Sequence, residues 1–466
     1  MTAEATQVRA IPTERARSEA WWVFPAVPLL AAAIAFAWTL HGELQRMYGM
    51  TSEAWDLAYD QQVIWNITQG QGFYSSFARA NFLGIHFELI FVVLAAIEKL
   101  WPSPTVLLIF SSAGLAAIAP AAYLFFRALL PADRAASPWL AVSLAAPIPF
   151  WAAIQEPARD FFHPENLALP FALLAAWAGI RDQVYTIAVL AILMRSYGAP
   201  EIKKHWRFVL YLAGAWFLIG TGIVQQTLRQ GGYSDFSYYR WVLGLDPNMP
   251  VSPLAIAEAL VRPQALVILA AIFGSMFALP LLAPRWLLLA VPPYLADVLS
   301  EHVPQNDLHL HYVLLLLFPL MVAGGIGARN LLLRRSIKPA VALVAIIPPL
   351  ILGWGTGRFP PSVDARASVY ERPNSVADLR HATAMIPADA PVNADAGLCV
   401  WLANRHTIND FPDKLDNGAY VVIDEDTYIG ANTDAALRQK ALDALPSSRR
   451  LLYDDGRFQV WSPVGD

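Results

Sequence analysis

The segment from Glu43 to Phe87 organises this chain. It begins ELQRMYGMTSEAWDLAYDQQVIWN (Glu43–Asn66), passes through a Gly-rich turn, and ends NFLGIHF (Asn81–Phe87). It carries acids, amides, aromatics and a histidine, yet it lies between apolar runs long enough to enter a bilayer. A polar loop held by a rigid membrane scaffold is where function concentrates. Working outward, the apolar run Trp21–Leu40 precedes it and lacks the small-residue cleavage site of a signal peptide. The tail before that run, 1–19, holds Arg9, Arg15 and Arg17, which the positive-inside rule places in the cytoplasm. The segment 43–87 is then the first outer loop.

Composition agrees. Of the 466 residues 56% are hydrophobic and 15% charged, with a mean hydropathy of +0.41. Soluble domains carry about 25% charged residues, so the deficit points to a helical membrane protein that crosses repeatedly. The net charge of −4 gives no reason to expect a nucleic-acid partner. The single cysteine, Cys399, excludes an intramolecular disulfide and a multi-cysteine metal site. The 16 Trp and 16 Tyr suit long membrane–water boundaries.

Charge sets the path. The run 85–101 is short and interrupted by Glu88, Glu98 and Lys99, whereas a spanning helix needs about 20 mainly apolar residues. If it crossed, Arg127 and Arg134 after the next run would lie outside. It therefore reads as a re-entrant or interfacial helix on the outer face. The runs 105–127, 138–155, 206–228, 259–282, 286–299, 313–328 and 339–356 each read as a crossing, and 166–180 with 183–197 closes sidedness only as one. With 21–40 that makes about nine crossings. The expectation is an all-α polytopic membrane protein whose transmembrane part covers 20–356. Residues 357–466 are charged, with strand-like runs at Tyr420–Asp424 and Phe458–Trp461 and helical candidates at Ser375–Met385 and Asp434–Ala444. They read as a small extracytoplasmic α/β domain.

The motifs WDLAYDQQVIWN, GFYSS, NFLGIHF, DFFHPE and LHLHY occur in that order. The pattern resembles the domain-of-unknown-function 2079 family of predicted bacterial membrane proteins. That family is similar in turn to the C-type (GT-C) membrane glycosyltransferases. The resemblance covers essentially the whole chain. It implies a GT-C-like transmembrane domain, with a sugar donor on a polyprenyl phosphate and an acceptor on the outer face. It also implies a catalytic acid in the first outer loop, juxtamembrane helices there, and in some members a divalent metal, Mg²⁺ or Mn²⁺; no other cofactor is implied. By motif, Asp56 and Asp60 match the loop acids, Asp160, His163 and Glu165 the second acidic motif, and His309 and His311 a later histidine pair. One departure stands out. The family pattern has a further apolar helix and a Lys-Glu-Asp motif where this chain has only Arg181-Asp182, so an active copy must do without them.

The residue chemistry is compatible with that implication. Asp56 and Asp60, four apart, share one face of a helical turn. Inverting glycosyl transfer needs a base for the acceptor proton, and a phosphate leaving group gains from nearby cations. Asp60 ranks first as base, with Gln61, Trp65 and Asn66 around it as sugar-type recognition groups. Helix capping or pairing with Arg46 and Arg79 explains either acid about as well. Asp160, His163 and Glu165 could bind a divalent metal, while Pro164 and Glu165 also suit a plain helix start. His86 next to Glu88 fits an interfacial hydrogen-bonding group. His309 and His311, followed by Tyr312, face one way if extended and diverge by about 200° if helical. Arg79, Arg229 and Arg240 are candidates for a lipid phosphate or for ordinary headgroup contact. The aromatic loop 233–241 fits sugar stacking and a boundary belt equally. No Walker loop, Rossmann glycine fingerprint or HExxH stands in the chain. Gly324-Gly325 reads as close helix packing. The expected partners are membrane lipid and a polyprenyl-phosphate-linked sugar, at the plasma membrane. The competing readings are a transporter or lipid-handling protein and a non-catalytic envelope scaffold.

Overall fold

The computed structural model describes residues 23–151, 154, 162–163, 166–168, 170, 184–197, 203–229, 235–246, 251–301, 305, 312, 314–356, 372–412, 418–427 and 434–463. Helix α1 (Val23–Tyr48) runs about 39 Å at 1.5 Å per residue. It extends eight residues past Leu40, so the first loop begins at Gly49 and not at Glu43. The reason is local: Glu43 is buried and accepts hydrogen bonds from Ser111 and Ser112 of a neighbouring helix, so its carboxyl does not need water.

A π-helical turn, Ala54–Ala58, leads into α2 (Tyr59–Thr68). A two-residue hairpin follows, β1 (Tyr74–Ser75) with β2 (Ala80–Asn81), and then α3 (Ile90–Glu98). At nine residues α3 spans about 13 Å, too short for a bilayer core of about 30 Å. The short helix expected between 85 and 101 is present. Next come α4 (Thr105–Leu129), α5 (Ser137–Ala145), α6 (Val184–Tyr197) and α7 (Trp206–Leu228), the last with a π-helical stretch at Leu218–Val224. Helices α8 (Pro253–Val261) and α9 (Pro263–Ser275) meet at 46°, where Pro263 prevents one straight helix. Then follow α10 (Val291–Leu299), α11 (Leu314–Arg334), α12 (Pro339–Leu343) and α13 (Ile347–Thr356).

Among the described residues, α1, α4, α7 and α11 are long and apolar enough to cross a membrane, and α8–α9 makes a fifth if counted as one broken span. Shorter apolar helices cover Ser137–Phe150, Trp286–Leu299 and Pro339–Ile351. The stretch that would join 166–180 to 183–197, residues 171–183, lies outside the described residues. Helices α4, α5 and α11 share one core. Gly325 allows it: a Cβ there would lie 2.8 Å from Leu129 and 3.1 Å from Phe126, so the Gly pair serves helix contact, as expected.

The chain ends fix which helix termini share a side. The start of α1 packs on the start of α5 through Phe24 and Trp139, ring centroids 5.0 Å apart. The end of α1 meets the start of α4, with Ser112 Oγ donating to Glu43 at 2.8 Å. The loop 49–104 thus lies at the opposite end from 130–139.

The C-terminal unit consists of α14 (Val376–Thr383), β3 (Val392–Ala394), α15 (Ala396–Leu402), β4 (Ile408–Asp410), β5 (Tyr420–Asp424), α16 (Ala435–Ser448), β6 (Arg449–Asp454) and β7 (Phe458–Pro463). The sheet order is β4-β3-β5-β7-β6; β3 is parallel to β4 and β5, and β7 is antiparallel to β5 and β6. Asp434 caps α16 by accepting from the amides of Ala436 and Leu437. Behind the sheet, Arg438 forms a buried two-point pair with Asp395, both bonds 2.8 Å. Both expected strands and both expected helices are present. Strands β3 and β4 were not anticipated, since VNA and IND are too short to show alternation, and neither was the longer β6, RRLLYD.

Candidate functional site

Helix α2 and the π turn before it hold Asp56 and Asp60. The apolar residues Ala54, Leu57, Ala58, Val63 and Ile64 are buried on more than one face, so the helix is enclosed on nearly all sides. The polar residues are buried as well: Asp60 is 7% exposed, while Gln61, Gln62 and Asn66 are fully enclosed. Asp56 is half-buried on the π turn. Such turns alter side-chain register and recur at functional sites.

The amides are committed inside the protein. Gln61 Nε2 donates to Glu98 at 2.7 Å and to Asn404 at 2.9 Å. Gln62 Nε2 donates to Ser76 Oγ at 2.7 Å and to the His406 carbonyl at 3.0 Å. Asn66 Nδ2 donates to the Tyr74 carbonyl at 2.9 Å and braces the Gly-rich turn. Gln61 and Asn66, expected to recognise sugar, therefore carry structural bonds. Trp65 remains half-buried beside them. Glu98 is 2% exposed, and burial pushes its carboxyl upward, with the bonds from Gln61 and the Ser103 amide pulling it part of the way back.

An aromatic file runs from Asp60 to the second acidic motif. Tyr59 meets Phe82 at 5.4 Å, Phe82 stacks on Phe91 at 4.6 Å, and Phe91 meets Phe162 at 6.1 Å. His163 follows Phe162 and is buried. The segment after it is pinned to α4: Asn166 Nδ2 donates to Ser111 Oγ at 2.9 Å, and Ser111 and Ser112 both donate to Glu43. A Cβ at Gly114 would collide with the Asn166 carbonyl oxygen, so glycine permits this approach. The structure thus gathers Asp56, Asp60, Trp65 and His163 at one end of the helices. Asp160, Glu165, His309 and His311 lie outside the described residues.

The remaining candidates ring this layer. Arg79 is exposed at the hairpin, in a left-handed conformation with φ of 52°. His86 lies 5.3 Å from the Phe82 ring, and its Nδ1 is 3.9 Å from Glu88. Close by, Gly84 abuts the Leu228–Arg229 backbone, and Gln225 donates to the Ile85 carbonyl at 2.9 Å, so the end of α7 joins the same face. Tyr239 and Trp241 donate to the carbonyls of Ala296 and Leu299, which gives two rings of the aromatic loop a structural task. Tyr312 is half-buried. Among the described residues no group of three or more His, Cys, Asp or Glu side chains gathers as a metal set.

Sequence reading missed Glu43, Gln62, Ser76, Glu98, Ser111, Ser112, Asn166 and Asn404. Two carried a signal: Glu43 and Glu98 are acids set in apolar helices, where an unmatched charge is costly.

The sequence pattern of a family described as predicted membrane protein (DUF2079) matches residues 46–196 and 184–451. The chain belongs to the DUF2079 family. The two matched stretches meet at 184–196, next to the Arg181-Asp182 departure. Among solved structures, the crystal structure of ArnT from Cupriavidus metallidurans bound to undecaprenyl phosphate is similar, at 12% identity and a TM-score of 0.39. The alignment covers 96% of this chain and 99% of that one. Curated protein sequences give no match. As a DUF2079 member the chain is a membrane protein, and its chemistry has to be argued from the site itself.

Proposed function

We propose that this DUF2079 protein is a GT-C-like membrane glycosyltransferase working on the extracytoplasmic face. It would cross the membrane about nine times, with residues 1–19 in the cytoplasm and 357–466 outside. The observation that carries this reading is the aromatic file Tyr59–Phe82–Phe91–Phe162, which brings the Asp60 helix and the His163 segment to one end of the bundle. A shared site needs that meeting, and the two motifs lie about a hundred residues apart in sequence.

In the proposed reaction Asp60 takes the proton from an acceptor hydroxyl. The acceptor oxygen forms a bond to the anomeric carbon from the side opposite the leaving group. The bond from that carbon to the phosphate oxygen breaks, and its electron pair leaves on the polyprenyl phosphate. Asp56, half-buried one turn away, orients Asp60 or the acceptor. Arg79 and Arg229 would meet the phosphate charge, and Trp65, His86 and Tyr312 would contact the sugar. Asp160, His163 and Glu165 are the residues that would hold a divalent metal.

A base contributes about 10²- to 10⁴-fold. The Asp60→Asn variant should therefore lose at least about 10² in transfer from a polyprenyl-phosphate sugar, at unchanged amounts of folded protein. Asp56→Asn should lose less. Full turnover by Asp60→Asn rejects the assignment.

Glu43 favours a second reading, transport or lipid handling. A carboxyl 1% exposed within a candidate span is the kind of group that lines substrate paths. Counter-flow in proteoliposomes, lost in Glu43→Gln and retained in Asp60→Asn, would support that reading over glycosyl transfer.

A further inference from the structure

The C-terminal unit does not merely follow the last apolar helix; it sits on the Asp60 helix. Several of the polar bonds between the two fall on the residues directly after Asp60. Gln61 reaches Asn404, and Gln62 reaches the carbonyls of Arg405 and His406. Ser76, itself bonded to Gln62, accepts from the Ile408 amide at 2.9 Å and donates to the Ile408 carbonyl at 2.6 Å. At the rim His406 stacks on Tyr74 at 5.1 Å, and its Nδ1 lies 2.6 Å from Gln71 Oε1. On the other flank Trp401 donates to the Met47 carbonyl at 3.1 Å, and a Cβ at Gly397 would collide with the Met50 carbonyl. The opposite side of the clasp is Glu98 of α3, which shares the Gln61 amide with Asn404. Three separate parts of the chain thus meet on one glutamine next to Asp60.

We propose that the C-terminal unit is a working part of the candidate site, with Asn404 and Gln61 as positioning residues that hold α2 and so fix where Asp60 stands. The value of that position rests on the reading of Asp60 given above. The bonding pattern favours positioning over simple packing. Apolar contact along α15 would suffice for adhesion, yet two fully buried amides are aimed across the junction. An amide of that kind must be matched on both sides of the junction or left unsatisfied.

The test uses the full chain in nanodiscs, with Asn404→Ala, Gln61→Ala and the conservative Asn404→Asp, which keeps an acceptor for Gln61. Asn404 is exposed, so its truncation leaves the fold of the C-terminal unit in place. Amide hydrogen exchange across 59–68 should quicken at least tenfold in both alanine variants, stay near wild type in Asn404→Asp, and remain unchanged in α16. Transfer should fall in kcat with the donor KM kept. Unchanged exchange in 59–68, or equal quickening in α16, overturns the proposal. Absence of any sugar transfer by the wild type would overturn the glycosyltransferase reading, and the exchange result would still judge the clasp.

Discussion

Helices α2 and α7 occupy their surroundings in opposite ways. On α2 the acid and the amides are buried and bonded, with Asp60, Gln61, Gln62 and Asn66 all under a tenth exposed. On α7 the large apolar residues Phe208, Tyr211, Leu218 and Ile223 stand 60–68% exposed. The first pattern is that of a helix fixed by directional bonds to specific partners. The second is that of a helix whose outer face meets lipid, where apolar character matters and identity does not. Position is therefore specified tightly around α2 and loosely along α7, which is where a site built on an exact geometry should and should not be.

The largest expected effect lies at the junction between the α2 region and the C-terminal unit. Gly397→Leu places side-chain atoms where the Met50 carbonyl stands and should cost about 1–3 kcal/mol, the usual range for overpacking. Cys399, buried two residues on, reports the opening. Burial raises its thiol, so the wild type should resist maleimide and the variant should react at a rate that tracks its lower thermal midpoint. A variant as stable and as unreactive as wild type would show that the junction is loose.

A smaller effect is expected at Glu98. Its folded value lies above the unfolded one of about 4.3. Its contribution is therefore complete below about pH 4 and is lost as pH rises through the folded value. Glu98→Gln removes that loss and still accepts from Gln61. Relative to the variant, the wild type should lose stability as pH rises from about 4 through the folded value. Parallel stability curves for the two proteins over that range would contradict this.

The smallest effect belongs to α7. Ile219→Leu, on its exposed face, should leave the thermal midpoint within the scatter of about 0.5 kcal/mol typical of surface changes. A large loss there would mean that a partner covers α7, and the contrast between the two helices would fail.

Much of this was legible in the sequence, for identifiable reasons. Long apolar runs announce themselves, and α4, α7 and α11 start within a residue of expectation. Charge at 85–101 forecast a helix too short to cross. The end of α1 was misplaced because Glu43 and Arg46 look like loop residues until the bonds from Ser111 and Ser112 of α4 to Glu43, and from Arg46 to the Thr51 carbonyl, are known. Strands β3 and β4, three residues each, offer no period to read. Gln61 reads as a sugar-recognition group in the sequence because its partner Asn404 lies 343 residues away, and no local pattern announces a bond of that separation.

Everything in the proposed chemistry depends on one face holding both the first loop and the C-terminal unit, with 130–139 on the other. Single cysteines at Gln69, Leu437 and Asp133, all exposed, in a Cys399→Ala background can be offered a membrane-impermeant maleimide on intact cells. The account predicts labelling at 69 and 437 and none at 133 until the cells are opened. Labelling at 133 together with 69, or at only one of 69 and 437, would contradict it.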